Sequence, residues 1–177
     1  MLDLNETDFR QRLDDLWVAS LNHIENARFA RGDEIPLLIV VRAGDIREKI
    51  NRAGGVTELD PSHFTNREQA LDTPFYLVLD VEDGRGEVAK SPEESLKRFA
   101  KTGRKPLNLD ESIALITQHP EILKHHYLIS VGTFVKKEKE ELPLLWLLDD
   151  NDQPELHYAW FDIAHGHYGS ASCLARI

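Results

Sequence analysis

Apolar residues recur at three- and four-residue steps along the start of the chain, at Phe9, Leu13, Leu16, Trp17, Leu21, Ile24 and Ala27, with charged residues between them. That period is the stripe of an amphipathic helix, with Thr7 or Asn5 as its cap and Gly32 as its stop. The pattern then changes. Pro36–Val41 is a nearly continuous apolar run ending in Ile39, Val40 and Val41, which predicts a buried strand. A short helix around Asp45–Arg52 closes at Gly54-Gly55. Residues 56–73 are polar and weakly patterned, a surface loop with a short strand in it. Phe75–Glu82 is the clearest strand, entered after Pro74 and left through the turn pair Asp83-Gly84.

Two helix starts are explicit. Ser91-Pro92-Glu93-Glu94 places a cap, a proline at the first helical position and a glutamate three residues past the cap. Asn108-Leu109-Asp110-Glu111 repeats the cap and glutamate ahead of Ile113–Gln118, and Pro120 opens a further helical turn through Leu123. In the last third, Tyr127–Val135 and Leu142–Leu148 read as strands flanking a solvated hairpin tip at Lys136–Glu141. Asp149–Gln153 is a second turn, Leu156–Asp162 a third strand and Tyr168–Leu174 a fourth. Helices and strands in blocks predict an α+β fold with a largely antiparallel sheet, an N-terminal amphipathic helix and a central helical pair. The expected organisation is one domain over residues 1–177, with the helical segment 91–125 packed on the sheet.

Composition narrows the partners. The chain has 31 acidic against 21 basic side chains, a formal charge of −10. Such a field repels phosphate backbones, so no nucleic acid is expected. The local basic group Lys97, Arg98, Lys101, Arg104 and Lys105 fits the ordinary charge complement of a helix C-terminus. No basic stretch followed by an apolar run opens the chain, and its apolar runs are too short to cross a bilayer. With Cys173 as the single cysteine, the expectation is a cytoplasmic protein without a membrane partner.

Candidate chemistry concentrates between Leu156 and Ser172. His165 and His167 stand two apart near Asp162 and His157, with His125-His126 elsewhere. Imidazoles so spaced on an extended chain project the same way and could share an ion. No three-ligand spacing of a known kind is present, however, so neither a metal nor another cofactor is expected. Cys173, Ser170 and Ser172 with the same histidines are the residue types of a hydrolase, but no glycine-flanked serine elbow holds them. Gly84-Arg85-Gly86 lacks the lysine and helix opening of a nucleotide loop, and Asp149–Asp152 lacks the glycine and distal glutamate of a calcium loop. Asp80 interrupts an apolar strand, so a cation should meet it, and Arg104 is the candidate.

Several ordered motifs look familiar: Thr73-Pro74-Phe75-Tyr76-Leu77 leading to Asp80-Val81, the Ser-Pro-Glu-Glu helix start, Gly103-Arg104-Lys105-Pro106-Leu107, His119-Pro120-Glu121, Pro143-Leu144-Leu145-Trp146-Leu147 and Trp160…His165…Gly169-Ser170-Ala171-Ser172. Over about residues 70–176 the chain resembles a family of bacterial proteins, often actinobacterial, built on a domain of unknown function. The resemblance implies no established activity and no catalytic residue. It supports the fold grouping and draws attention to Asp80, Trp160 and His165.

The reading that follows is a binding protein for a partner protein or a small ligand held against the C-terminal sheet, with a homodimer left open. Trp160, Asp162, His165 and His167 are its ligand-binding candidates. The alternative is a metal-assisted or thiol/hydroxyl hydrolase built on the C-terminal Asp/His/Cys cluster. Gly166 is expected to turn the chain, packing His165 beside Trp160 and leaving His167 more exposed.

Overall fold

A computed structural model describes residues 34–69, 71–135, 140–148 and 152–177, together with Thr7, Arg10, Gln11, Asp14, Asp15 and Val18. Those six are helical and exposed, and all but Val18 are polar. The apolar positions Phe9 to Ala27, Asn5, Gly32 and the hairpin tip 136–139 lie outside the described residues.

The fold is α+β, with strands in three mostly antiparallel sheets. The first sheet has the order β1 (Glu34–Val41), β3 (Phe75–Glu82), β10 (Ser172–Arg176), β4 (Lys105–Pro106). A second has the order β8 (Gln153–Trp160), β7 (Glu141–Leu148), β5 (Tyr127–Ile129), β9 (Tyr168–Ser170). β2 (Phe64–Asn66) pairs with β6 (Thr133–Val135) alone. Four α-helices are described from end to end: α1 (Ile46–Arg52), α2 (Pro92–Thr102), α3 (Leu109–Gln118) and α4 (Ile122–His125). None is long and apolar enough to cross a membrane.

Local chemistry explains the helix starts. Ser91 accepts from the Glu94 backbone N–H while the Glu94 carboxylate accepts from the Ser91 N–H, and Asn108 and Glu111 do the same for α3. Each box satisfies two backbone donors that the first helical turn leaves open.

The main core joins both sheets to α3 and α4. Leu38, Val40, Tyr76, Val78 and Val81 meet Leu109, Ile113, Ile116 and Leu123, and Leu128, Leu145 and Leu156 enter from the second sheet. Phe75, Leu77 and Leu79 are buried on the other face of β3. Sealed beside this core is a charged group. Glu111, 0% exposed, takes a bidentate pair from Arg176 at 2.6 and 2.9 Å, the Tyr76 hydroxyl at 2.9 Å and the Asn108 N–H at 2.9 Å.

Asp80 has the expected partner. Arg104 Nη1 lies 3.2 Å from its Oδ1, and Nη2 donates to its carbonyl. The carboxylate is half-buried rather than sealed, and Asp80 takes a left-handed φ of 54° that drops it out of the β3 ladder. Arg104 also reaches Ser172 Oγ at 2.9 Å and Glu82 at 3.5 Å, so Asp80 is one partner of several.

Two strands differ from expectation. Tyr127–Val135 is divided at Ser130–Gly132 into β5 and β6, which belong to different sheets. A Cβ on Gly132 would sit 2.6 Å from the Leu107 carbonyl oxygen, so the chain turns there under the loop that starts α3. Tyr168–Leu174 is likewise two strands. β9 runs parallel to β5, and after Ala171 the chain crosses into the first sheet as β10.

Candidate functional site

Alternation along β7 puts Leu142, Leu144 and Trp146 on one face, opposite Ala159, His157 and Glu155 of β8. The Leu142 and Leu144 end packs with Ile129, Ala159 and the α2 residue Phe99 in a second buried cluster. Farther along, Tyr127, Trp146 and Tyr168 touch that cluster but remain half-exposed, and His157, His165 and His167 are exposed.

These six rings form a continuous row. His157 lies 5.2 Å from Trp146, Trp146 6.1 Å from Tyr127, and Tyr127 6.2 Å from Tyr168 and 6.3 Å from His167. His165 stacks on Tyr168 at 4.2 Å and sits 5.7 Å from His167. The Trp146 indole N–H donates to Glu155 Oε2 at 2.7 Å, which pins the ring edge.

A recess of about 320 Å³ adjoins the row and shares Tyr127 and His167 with it. Leu123, His125, His126 and Leu147 line it further, and Lys124 and Asp152 pair at 3.1 Å on its exposed side. His126 is buried, with Nε2 3.1 Å from the Asp83 carbonyl. A carbonyl only accepts, so Nε2 carries the proton and Nδ1 is a bare lone pair, buried without a partner. Burial pushes this imidazole below its ordinary pKa and favours the neutral form. Gly169 makes room for it, since a Cβ there would lie 2.4 Å from the Gly84 oxygen and 2.6 Å from His126 Cδ2.

The four residues singled out from sequence divide into two places. His165 and His167 belong to the ring row. Trp160 and Asp162 do not: Leu156, Tyr158 and Trp160 have the opposite parity on β8, Tyr158 meets Phe64, and Trp160 is 52% exposed. His165 therefore packs on Tyr168 and not beside Trp160. Tyr127, Trp146 and His126 were not singled out as ligand-binding candidates.

The nucleophile candidates lie inside the protein. Cys173 is 0% exposed on β10, and burial pushes its thiol up to about 12, so it stays protonated at neutral pH. Ser170 is buried on β9, and the Ser172 hydroxyl is held by Arg104. Among the described residues, no three His, Cys, Asp or Glu side chains lie close enough to hold a metal ion. Much of the basic group is spent on carboxylates. Lys97 pairs with Glu93 at 2.7 Å, and Arg98 lies 2.6 Å from both Glu82 and Glu87.

The model of the family of unknown function DUF5701 matches residues 1–177, so the chain belongs to that family over its whole length. No match was found among the curated proteins or the solved structures.

Proposed function

We propose that this member of a family of unknown function is a binding protein, and that it holds a small ligand with a flat ring against Tyr127 and Trp146. The observation that carries this reading is the row of six rings, half-exposed or exposed, two of which, Tyr127 and His167, also line a recess of about 320 Å³. Aromatic pairs in such geometry contribute about 0.5–1.5 kcal/mol each beyond the area they bury. Because Glu155 holds the Trp146 ring edge, the ring face is what a ligand meets. His125 and His167 supply donors or acceptors around the recess, and polar groups of this kind fix a ligand's orientation. The hydrolase alternative is less favoured because Cys173 is buried and protonated and the serine hydroxyls face inward.

The test is a thermal-shift titration with fragments built on adenine, indole and pyridine. A ligand specific for the native state raises the melting temperature as its concentration rises. The proposal expects at least one such fragment, with its effect lost in Trp146→Leu and in His167→Ala. No stabilising fragment, or stabilisation that survives both substitutions, contradicts it.

A further inference from the structure

The sheet edges are closed in different ways. At β1, the Gln118 amide donates to the Ile39 carbonyl at 2.7 Å and accepts from the Ile39 N–H at 3.3 Å, taking the place of a neighbouring strand. At β8 the described residues cover only the first half of the edge. Val56 N–H donates to Pro154 O at 2.9 Å, Leu156 N–H to Val56 O at 3.1 Å, and Thr57 Oγ1 to Leu156 O at 3.3 Å. Residues of the same parity farther along, Tyr158 and Trp160, turn their backbone groups the same way, because Ala159 and Phe161 face β7 and Glu140. Among the described residues no backbone group pairs with the Tyr158 or Trp160 N–H, or with the Trp160 carbonyl. Natural edges are commonly guarded by lysine or proline. The one proline of β8, Pro154, lies in the covered half, and Tyr158-Ala159-Trp160 carries no guard.

The surroundings of that open half are apolar and mostly acidic, with Arg67 lying 5.5 Å from the Phe161 ring. Trp160 is 52% and Ile163 50% exposed. Glu141 stands opposite Trp160, and Asp162 follows two residues on in the exposed turn. Asp60 also acts on this end: the Tyr158 phenol is held above its ordinary pKa by burial, then by Glu141 and Asp60. A second copy of the chain pairing here would bring Glu141 and Asp162 against their own counterparts.

We propose that the Tyr158–Trp160 edge of β8 binds an extended basic segment of a partner protein, which adds as a strand to the second sheet. Main-chain hydrogen bonds to Tyr158 and Trp160 supply the affinity common to strand addition, and side chains at alternate positions supply the choice of partner. A lysine or arginine on the Trp160 side crosses the indole face toward Glu141, a cation–π contact backed by a carboxylate. The ring row meets this edge at His157, whose Nδ1 lies 3.4 Å from the Tyr158 carbonyl, but the proposal uses none of the row's rings and can fail without it.

The experiment is a display selection of random nine-residue peptides on the full chain, counter-selected with Trp160→Glu. Peptides carrying two or more Lys or Arg in an alternating apolar pattern are expected to enrich. Their synthetic forms should slow amide hydrogen exchange at Tyr158 and Trp160 in the wild-type protein. Affinity should fall at least tenfold when alternate peptide nitrogens are methylated, and also when salt is raised. The proposal is overturned if no peptide enriches over the variant, if the enriched peptides are acidic or tolerate methylation, or if exchange at Tyr158 and Trp160 is unchanged. A wild-type dimer that Trp160→Glu dissociates would assign the edge to a second copy and overturn it equally.

Discussion

The two four-stranded sheets share one core and differ in what they leave open. An inner strand of the first, β3, buries residues on both faces: Tyr76, Val78 and Val81 on one, Phe75, Leu77 and Leu79 on the other. Its charged partner Glu111 is enclosed by two guanidinium bonds, a phenol and a backbone N–H. The second sheet sends Leu128, Leu145 and Leu156 into the same core, yet its opposite face ends in half-exposed rings and its β8 edge is only half covered. Packing and polar satisfaction therefore account for the first sheet. They do not account for Tyr127, Trp146 and the histidines around them, and that surplus is what the binding proposal uses.

The contrast is broken most severely by substitution in the closed region. Glu111→Ala takes the bidentate carboxylate from the largely buried Arg176 and leaves it only the exposed Glu68 at 3.1 Å and the Pro106 carbonyl, so the cost should approach the roughly 3–5 kcal/mol of breaking a buried pair. Urea denaturation should show that loss, and a change below about 1 kcal/mol would mean the group is not sealed. Gly169→Ala comes next. Its methyl must displace the Gly84 backbone or the His126 ring, an overpacking cost of about 1–3 kcal/mol. Because β9 carries Tyr168, the same substitution should also weaken any ligand of the ring row.

A titration sharpens the comparison from the recess side. Burial holds His126 below its ordinary value of 6.5, so the unfolded chain takes up the proton more readily. The stability tied to neutral His126 is complete above about pH 6.5 and is lost as pH falls below that value toward the folded pKa. The slope is at most about 1.4 kcal/mol per pH unit for one proton. In His126→Gln, the fall in stability between about pH 7 and the folded pKa should be shallower than in wild type. Identical slopes would show that this imidazole does not report on folding.

What sequence could show follows the range of each interaction. The capping boxes at Ser91 and Asn108 were legible because each closes within four residues, and Ser91→Ala should cost about 1 kcal/mol by denaturation. The second role of Glu111 was not legible, because Arg176 and Tyr76 reach it from distant strands. The Asp80–Arg104 pair was legible from a lone carboxylate among apolar residues, but its half-exposure was not, since that depends on the left-handed turn of the strand. A two-residue period also cannot say which sheet a strand joins, so β9 and β10 read as one element. At the site, the spacing of His165 and His167 was visible. Trp146, with Tyr158 and Trp160 on adjacent strands, read as either core or an aromatic-lined recess, and strand parity, which separates Trp146 from the other two, decides between them. His126 appeared only as half of a histidine pair, and its burial rests on Asp83 and Gly169.

The smallest expected effect belongs to the open edge. Trp160→Ala removes a ring that is 52% exposed, and its stability change should stay within about 0.5 kcal/mol. A loss above about 2 kcal/mol would place Trp160 in the packed structure and close the edge as a docking surface.

The binding proposal is tested most directly by the indole N–H resonance of Trp146, assigned by its absence in Trp146→Phe. That proton is hydrogen-bonded to Glu155 at the centre of the ring row, so it reports on a ligand at Tyr127 and Trp146 and on little else. Titrating the adenine, indole and pyridine fragments should move this signal and the amide signals of Tyr127 and His167 together, while the Trp160 indole stays still. A stationary Trp146 indole, or fragment shifts confined to Trp160 and the first sheet, would contradict the assignment of the ring row as the binding site.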